Sequence, residues 1–246
     1  MMRIVNHLLK HIEKWVQWPT KQQAEDRFAR FSSINETFAR VVGCLDGSHI
    51  RIPKPKGDNS YVNRKDFPSI NLQAICDGKK KFVYVFGGWP GCAHDSRVWQ
   101  NSPLHNSLET DFDRYMPPSS YLLSDSAYEL RSFNITPYSG ATTAEQKEFN
   151  YQHSKVRVLI EQAFGRLKGI FRRVQKIECT KVENCTKLVS VACIFHNIAI
   201  DDNIFYLPEE IVDSDIVGDM GEPAVTSLST AQISADKQVA RVMRDG

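Results

Sequence analysis

The feature that most limits the fold is a change of hydrophobic period along the chain. Between Val41 and Trp89 the apolar residues fall into strand-length runs, VVGCLDGSHIRI, INLQAICD and KKFVYVFGGW, separated by polar or turn-rich links. Asp77-Gly78 ends the second run and marks a hairpin or meander, and Asp46-Gly47 is expected to interrupt the first. Over residues 144–173 the period becomes helical, with Val156, Ile160, Ala163, Phe164, Leu167 and Phe171 forming one apolar stripe. A helix from about Ser96 to Glu109, with Asp95 as its N-cap, a strand at YLLSDSAY and a short one at ITPY lie between. A last helix covers about 181–200. Three strands, a helix, two strands and a long helix make an α/β order.

Upstream, residues 1–40 predict two helical segments, the first ended by Pro19, that need not belong to the main domain. The main domain is expected over 41–201, followed by an acidic, mobile tail over 202–246. Composition excludes some classes. With 246 residues, 41% hydrophobic and 24% charged, the chain is neither fibrous nor wholly disordered. No apolar run approaches the roughly eighteen residues that cross a bilayer, and the start lacks a secretory pattern, so no membrane partner is expected. The six cysteines form no CxxC and no Cys–His zinc spacing, which favours a reducing compartment.

Net charge of +2 hides an asymmetry. Residues 202–246 carry nine acids against three bases, leaving 28 bases against 20 acids in the body, a net of +8. A basic body suits a polyanion. Arg51, Lys54, Lys56, Arg64 and Lys65 gather around the loop after the first strand, and a second basic set runs along the long helix and beyond it. Arg64, Lys65, Arg157 and Lys168 are the candidates for nucleic-acid backbone contacts.

Three acids occupy costly positions. Asp46 lies in an apolar strand, Asp125 follows the apolar Tyr121-Leu122-Leu123, and Glu161 sits between Ile160 and Ala163 in the long helix. Isolated carboxylates there are expensive to bury unless paired or bound to a cation. Three of them would suit Mg²⁺ or Mn²⁺, which prefer oxygen ligands and serve phosphodiester chemistry. The same residues also fit a turn, a strand cap and a surface helix position. His153, Arg157 and Glu161 are spaced four apart on one helix face, as an accessory histidine and a phosphate-contacting or merely salt-bridging arginine would be. His94-Asp95, in GGWPGCAHDSRVW, fits a hydrogen-bonded pair, a cap or an accessory polar pair; the segment lacks the GxxxxGK[ST] phosphate loop.

Five blocks in order, GCLDGSHIRI, NRKDFPSINLQAICD, GGWPGCAHDSRVW, LLSDSAYELRSFNITPY and FNYQHSKVRVLIEQAFGRLKGIFR, resemble the DDE domain of PIF/Harbinger transposases and the Harbinger-derived nucleases. The resemblance implies an RNase H-like α/β fold, a mixed five-stranded sheet with helices on both faces. It also implies an acidic triad matching Asp46, Asp125 and Glu161, a divalent metal cofactor (Mg²⁺ or Mn²⁺), and hydrolysis of DNA phosphodiester bonds in the nucleus, with the cytoplasm a further compartment. A separate Myb-like DNA-binding partner protein is implied too, and homo-oligomerisation stays open. Ser124 and Ala127 stand where the family usually has glycine, and about 40 residues precede the domain, fewer than in active transposases. The alternative is a domesticated, non-cleaving DNA-binding or protein-interaction module.

Overall fold

The computed structural model describes residues 2–204; the tail expected over 202–246 therefore lies, beyond Ile204, outside the described residues. The chain forms α1 (Met2–Leu9), α2 (Lys21–Ile34), β1 (Val41–Arg51), β2 (Ser69–Cys76), β3 (Phe82–Pro90), α3 (Asp95–Gln100), α4 (Pro103–Thr110) and α5 (Phe112–Tyr115). It continues with β4 (Tyr121–Leu123), β5 (Asn134–Ile135), α6 (Ala144–Ile170) and α7 (Val182–Asp201). The five strands make one sheet in the order β3-β2-β1-β4-β5. β1, β2 and β3 pair antiparallel, whereas β4 runs parallel to both β1 and β5. This is the mixed, RNase H-like sheet that the resemblance implies.

Both faces are covered. One apolar cluster joins Cys44, Leu72 and Ala74 of the sheet to Val156, Ile160 and Ala163 of α6 and to Val189 and Cys193 of α7. The other joins Val42, Leu45 and Ile75 to Trp99 of α3 and to Leu104 and Leu108 of α4. Residues 2–40 pack into the same body, with Phe31 and Phe38 fully enclosed in the first cluster. Thr20 and Gln23 form a capping box at the start of α2, and Thr143 with Gln146 does the same for α6.

Three local expectations are corrected. β1 is not interrupted at Asp46-Gly47: both residues stay in the ladder, opposite Ala74 and Gln73. Inter-strand pairing outweighs the turn preference of the dipeptide. The single helix expected over 96–109 is two, because Ser102 caps a new start and Pro103, lacking an N–H, suits the first turn. Asp95 is the first residue of α3 rather than its N-cap.

Asn197 fastens α7 to the outer strand. Its Oδ1 accepts from the Phe82 N–H at 2.8 Å, while Nδ2 donates to the carbonyls of Phe82 and Trp15, both at 2.7 Å. Asn197→Ala would leave three main-chain groups without this partner, two of them on one residue of an edge strand. The expected cost is about 2–3 kcal/mol, a fall in melting temperature of roughly 5–10 °C for a domain of this size. A melting shift below 2 °C would contradict that role.

Candidate active site

β4 pairs with β1 only as far as Cys44↔Leu123, whereas β2 follows β1 to Arg51. Beyond Cys44, β1 therefore has a strand neighbour on one side only, and a crevice opens at the carboxyl end of the parallel pair. Asp46 and Asp125 both lie two residues past that last pairing, so the register brings them to the same place. α6 crosses the crevice. The Cys44 thiol donates to the Val156 carbonyl at 3.5 Å, and the next residue, Arg157, reaches the carboxylates. Its Nη1 lies 3.4 Å from Asp46 Oδ2, and its Nη2 pairs with Glu161 Oε1 one turn on.

A fourth carboxylate comes from α3. Asp95 Oδ1 accepts from Asn71 Nδ2 at 2.5 Å, and its main-chain carbonyl accepts from Gln73 Nε2 at 3.1 Å. It lies directly over Gly47, where any Cβ would overlap its carboxylate. Here glycine is needed for close approach rather than for backbone freedom. The Tyr128 hydroxyl accepts from Gln73 Nε2 at 3.1 Å. Its phenol is pushed well up by burial and by Asp46, Asp95 and Asp125 nearby, so it remains protonated.

The electrostatics follow from the imbalance of one guanidinium against these four acids. Burial pushes the Asp46 carboxyl up to about 7; Arg157 and the Gly47 N–H oppose this, while Asp125 and Asp95 add to it. Asp125 is raised in the same direction by burial, against the Ala127 N–H that it accepts at 2.8 Å and against Arg157. For Arg157, burial is outweighed by Glu161, Asp46 and Asp125, which hold it charged. Two more acceptors face no donor among the described residues: the buried Asn71 Oδ1 and Gln73 Oε1.

This donor set fits a hard divalent cation. It consists of carboxylate oxygens, it is short of positive charge, and burial makes Asp46 resist ionisation despite the Arg157 beside it. The side chains are not arranged as a ready-made cage. Among the described residues no three His, Cys, Asp or Glu groups stand close enough to share an ion. Arg157 stands between Asp46 and Glu161.

The remaining candidates are placed as follows. Arg64 and Lys65 are exposed on the loop between β1 and β2. Arg64 donates to the ring of His94, which is exposed. His94 and Asp95 thus turn to different partners rather than to each other. Lys168 is half-buried and donates to Ser48 Oγ at 2.8 Å and to the His49 carbonyl at 3.1 Å. It tethers α6 to the end of β1. Burial, reinforced by Lys65, lowers its pKa. His153 corrects its accessory reading: it is buried between Phe38 and Phe149 and hydrogen-bonds the Ile135 carbonyl through Nε2 at 3.2 Å. Burial lowers its pKa to about 4, so it serves the core as a neutral ring.

The polar wall of Asn71, Gln73 and Tyr128 was not singled out in the sequence. A signal existed, since INLQAIC alternates polar and apolar residues on a strand that is buried throughout. Which face the polar residues line depends on packing and cannot be read from alternation.

A sequence profile described as "DDE superfamily endonuclease" matches residues 45–197. The mouse protein named "Putative nuclease HARBI1" is 28% identical over 228 residues, covering 89% of this chain and 62% of that protein. Its human namesake is 30% identical over the same shares of both chains. "Protein ALP1-like" of Arabidopsis thaliana is 28% identical over 215 residues, covering 81% of this chain and 52% of its own. The chain thus spans between about half and two-thirds of the length of these relatives. No solved structure matches it.

Proposed function

Because the chain belongs to the DDE superfamily endonuclease family, we propose that the crevice between β1, β4 and α6 is a divalent-metal-dependent centre for cutting DNA phosphodiester bonds. One observation carries this reading: at the end of the parallel strands one arginine pairs with Asp46 of β1 and Glu161 of α6, and its charge also acts on Asp125, just past β4. Asp46, Asp125 and Glu161 would hold Mg²⁺ or Mn²⁺. When bound, the ions activate an attacking oxygen and neutralise charge at the phosphoryl group.

The protein's own residues do the rest. Gly47 N–H, donating to Asp46 Oδ1 at 2.7 Å, and Ala127 N–H fix two of the carboxylates in orientation. Arg157 pairs with both Asp46 and Glu161 and carries the charge that offsets their mutual repulsion. Its planar fork is suited to a phosphate oxygen pair, which it would be free to take were a cation to hold the carboxylates. Lys168 fixes the spacing between α6 and β1. Arg64 and Lys65, on the exposed loop, supply backbone charge contacts. A DNA substrate also makes the nucleus the proposed compartment, and a Myb-like DNA-binding partner is part of the same proposal.

The test is nicking of supercoiled duplex DNA. Scission is expected with Mn²⁺ or Mg²⁺ and is expected to stop when the ion is chelated. Duplex binding with no scission under either ion would assign the chain to the non-cleaving module instead. Cutting of RNA in preference to DNA would overturn the substrate class.

A further inference from the structure

His49 lies three residues beyond Asp46 on β1, and the mechanism above leaves its side chain unused. The ring is half-buried and set by a chain of side chains that begins in the basic loop. Asn63, itself buried, accepts the N–H groups of Lys65 and Phe67 at Oδ1, at 2.9 and 3.4 Å, so its carbonyl shapes the turn that displays Arg64 and Lys65. Through Nδ2 the same residue donates to Ser69 Oγ at 3.0 Å. Ser69, fully enclosed, lies 3.1 Å from His49 Nδ1. With Ser69 Oγ accepting from Asn63, its own proton can be given to Nδ1, the arrangement that puts the ring proton on Nε2.

Nε2–H meets no hydrogen-bond partner among the described residues. Phe67 packs edge-on against the ring at 6.5 Å between centroids and fixes its plane. Lys168 grips the main-chain carbonyl of the same residue. Burial lowers the pKa of His49, and Lys168, Lys65 and Arg64 lower it further, while Asp95 opposes them. At neutral pH the ring is therefore an uncharged donor of fixed direction among three cations.

We propose that His49 is a substrate-positioning residue whose Nε2–H donates to a backbone phosphate oxygen of the nucleic acid, in a seat completed by Lys65, Arg64 and Lys168. This rests on the nucleic-acid reading above and adds to it a contact of fixed direction that charge alone does not provide. The lysines and Arg64 attract any phosphate within reach. A neutral, locked N–H can donate to one only in a single place, and that place is three residues along the strand from Asp46. Ser69 and Asn63 act through His49. Neither is exposed to ligand.

Binding of a fluorescent duplex, measured against salt in Ca²⁺, tests this. His49→Ala is expected to weaken binding about fivefold to tenfold, the worth of one neutral hydrogen bond. The slope of log affinity on log salt should stay unchanged, because a neutral donor displaces no counterion; Lys65→Ala should reduce that slope by about one. His49→Gln, which keeps an N–H donor, should recover part of the loss. Ser69→Ala, buried and away from the ligand, should weaken binding in the same slope-independent way. For the wild-type protein, the ¹⁵N resonance of His49 Nε2 should move when the duplex is added. Affinity within twofold of wild type for His49→Ala, a slope that falls by one as for lysine, or an Nε2 resonance that ignores bound duplex overturns the assignment while leaving the nuclease reading intact. Absence of duplex binding by the wild type overturns both.

Discussion

Asp46→Asn is expected to lower metal-dependent scission on the order of a thousandfold, while the protein stays folded and becomes more stable at alkaline pH. On the proposed metal reading, the substitution removes one charged ligand of an ion that would supply several kcal/mol of transition-state stabilisation. The gain follows from burial. The Asp46 carboxyl is pushed from its ordinary 3.8 to about 7 in the folded protein. Folded chains thus keep a proton that unfolded chains release, and stability declines as pH rises from about 4 to 7. Above that range the ionised group is a net cost of folding in the absence of metal. Asparagine keeps the shape and carries no charge. The expected gain is about 1–3 kcal/mol at pH 8 in chelator, smaller at pH 5. Urea denaturation at the two pH values, run beside the nicking assay, checks both halves. Cleavage within tenfold of wild type would remove Asp46 from the centre. Loss of activity together with loss of stability would mean that the carboxylate is structural.

Arg157→Met should have the second largest effect, and in the opposite sense for stability. Its guanidinium faces Asp46 and Glu161 directly and Asp125 through space. Without it these carboxylates lose their shared counter-charge in a crevice only partly open to water. The expected destabilisation in chelator is about 1–3 kcal/mol at pH 8, discounted for the exposure of Glu161. A divalent cation supplies the missing charge, so Mn²⁺ should raise the melting temperature of Arg157→Met by more than it raises that of the wild type. Scission should still fall by roughly a hundredfold, as expected on removal of one preorganised electrostatic group. Melting with and without Mn²⁺ separates the roles. An equal Mn²⁺ shift in both proteins would show that the arginine and the cation do not share the carboxylates.

His153 and Arg157 illustrate how far a spacing rule reaches. The four-residue interval puts His153, Arg157 and Glu161 on one helix face, and the Arg157–Glu161 pair forms as that rule expects. Yet the same face is in the core at one end and in the crevice at the other. His153 meets Phe38, Phe149 and a β5 carbonyl, whereas Glu161 is partly exposed one turn beyond Arg157. A helix crossing a sheet edge changes environment along its length, and periodicity carries no information about where that edge falls. Lys168 shows the same limit: its charge marks it as a backbone contact, but its reach to Ser48 and His49 spends two of its protons on holding the fold.

The sequence by itself determined the strand-rich first half and the two long C-terminal helices, the α/β class, and the three carboxylates worth watching, because each rests on local signals: apolar period, turn chemistry and the cost of an acid among apolar neighbours. Tertiary structure decided how those acids are shared. The Arg157–Asp46 pair joins residues 111 apart in the chain, the crevice exists because β4 stops pairing at Cys44, and Asp95 reaches the site only because Gly47 has no side chain. Such relations depend on strand register and on the approach of distant elements. No local pattern encodes them, since the same residues at the same spacing would face elsewhere after a shift of one residue.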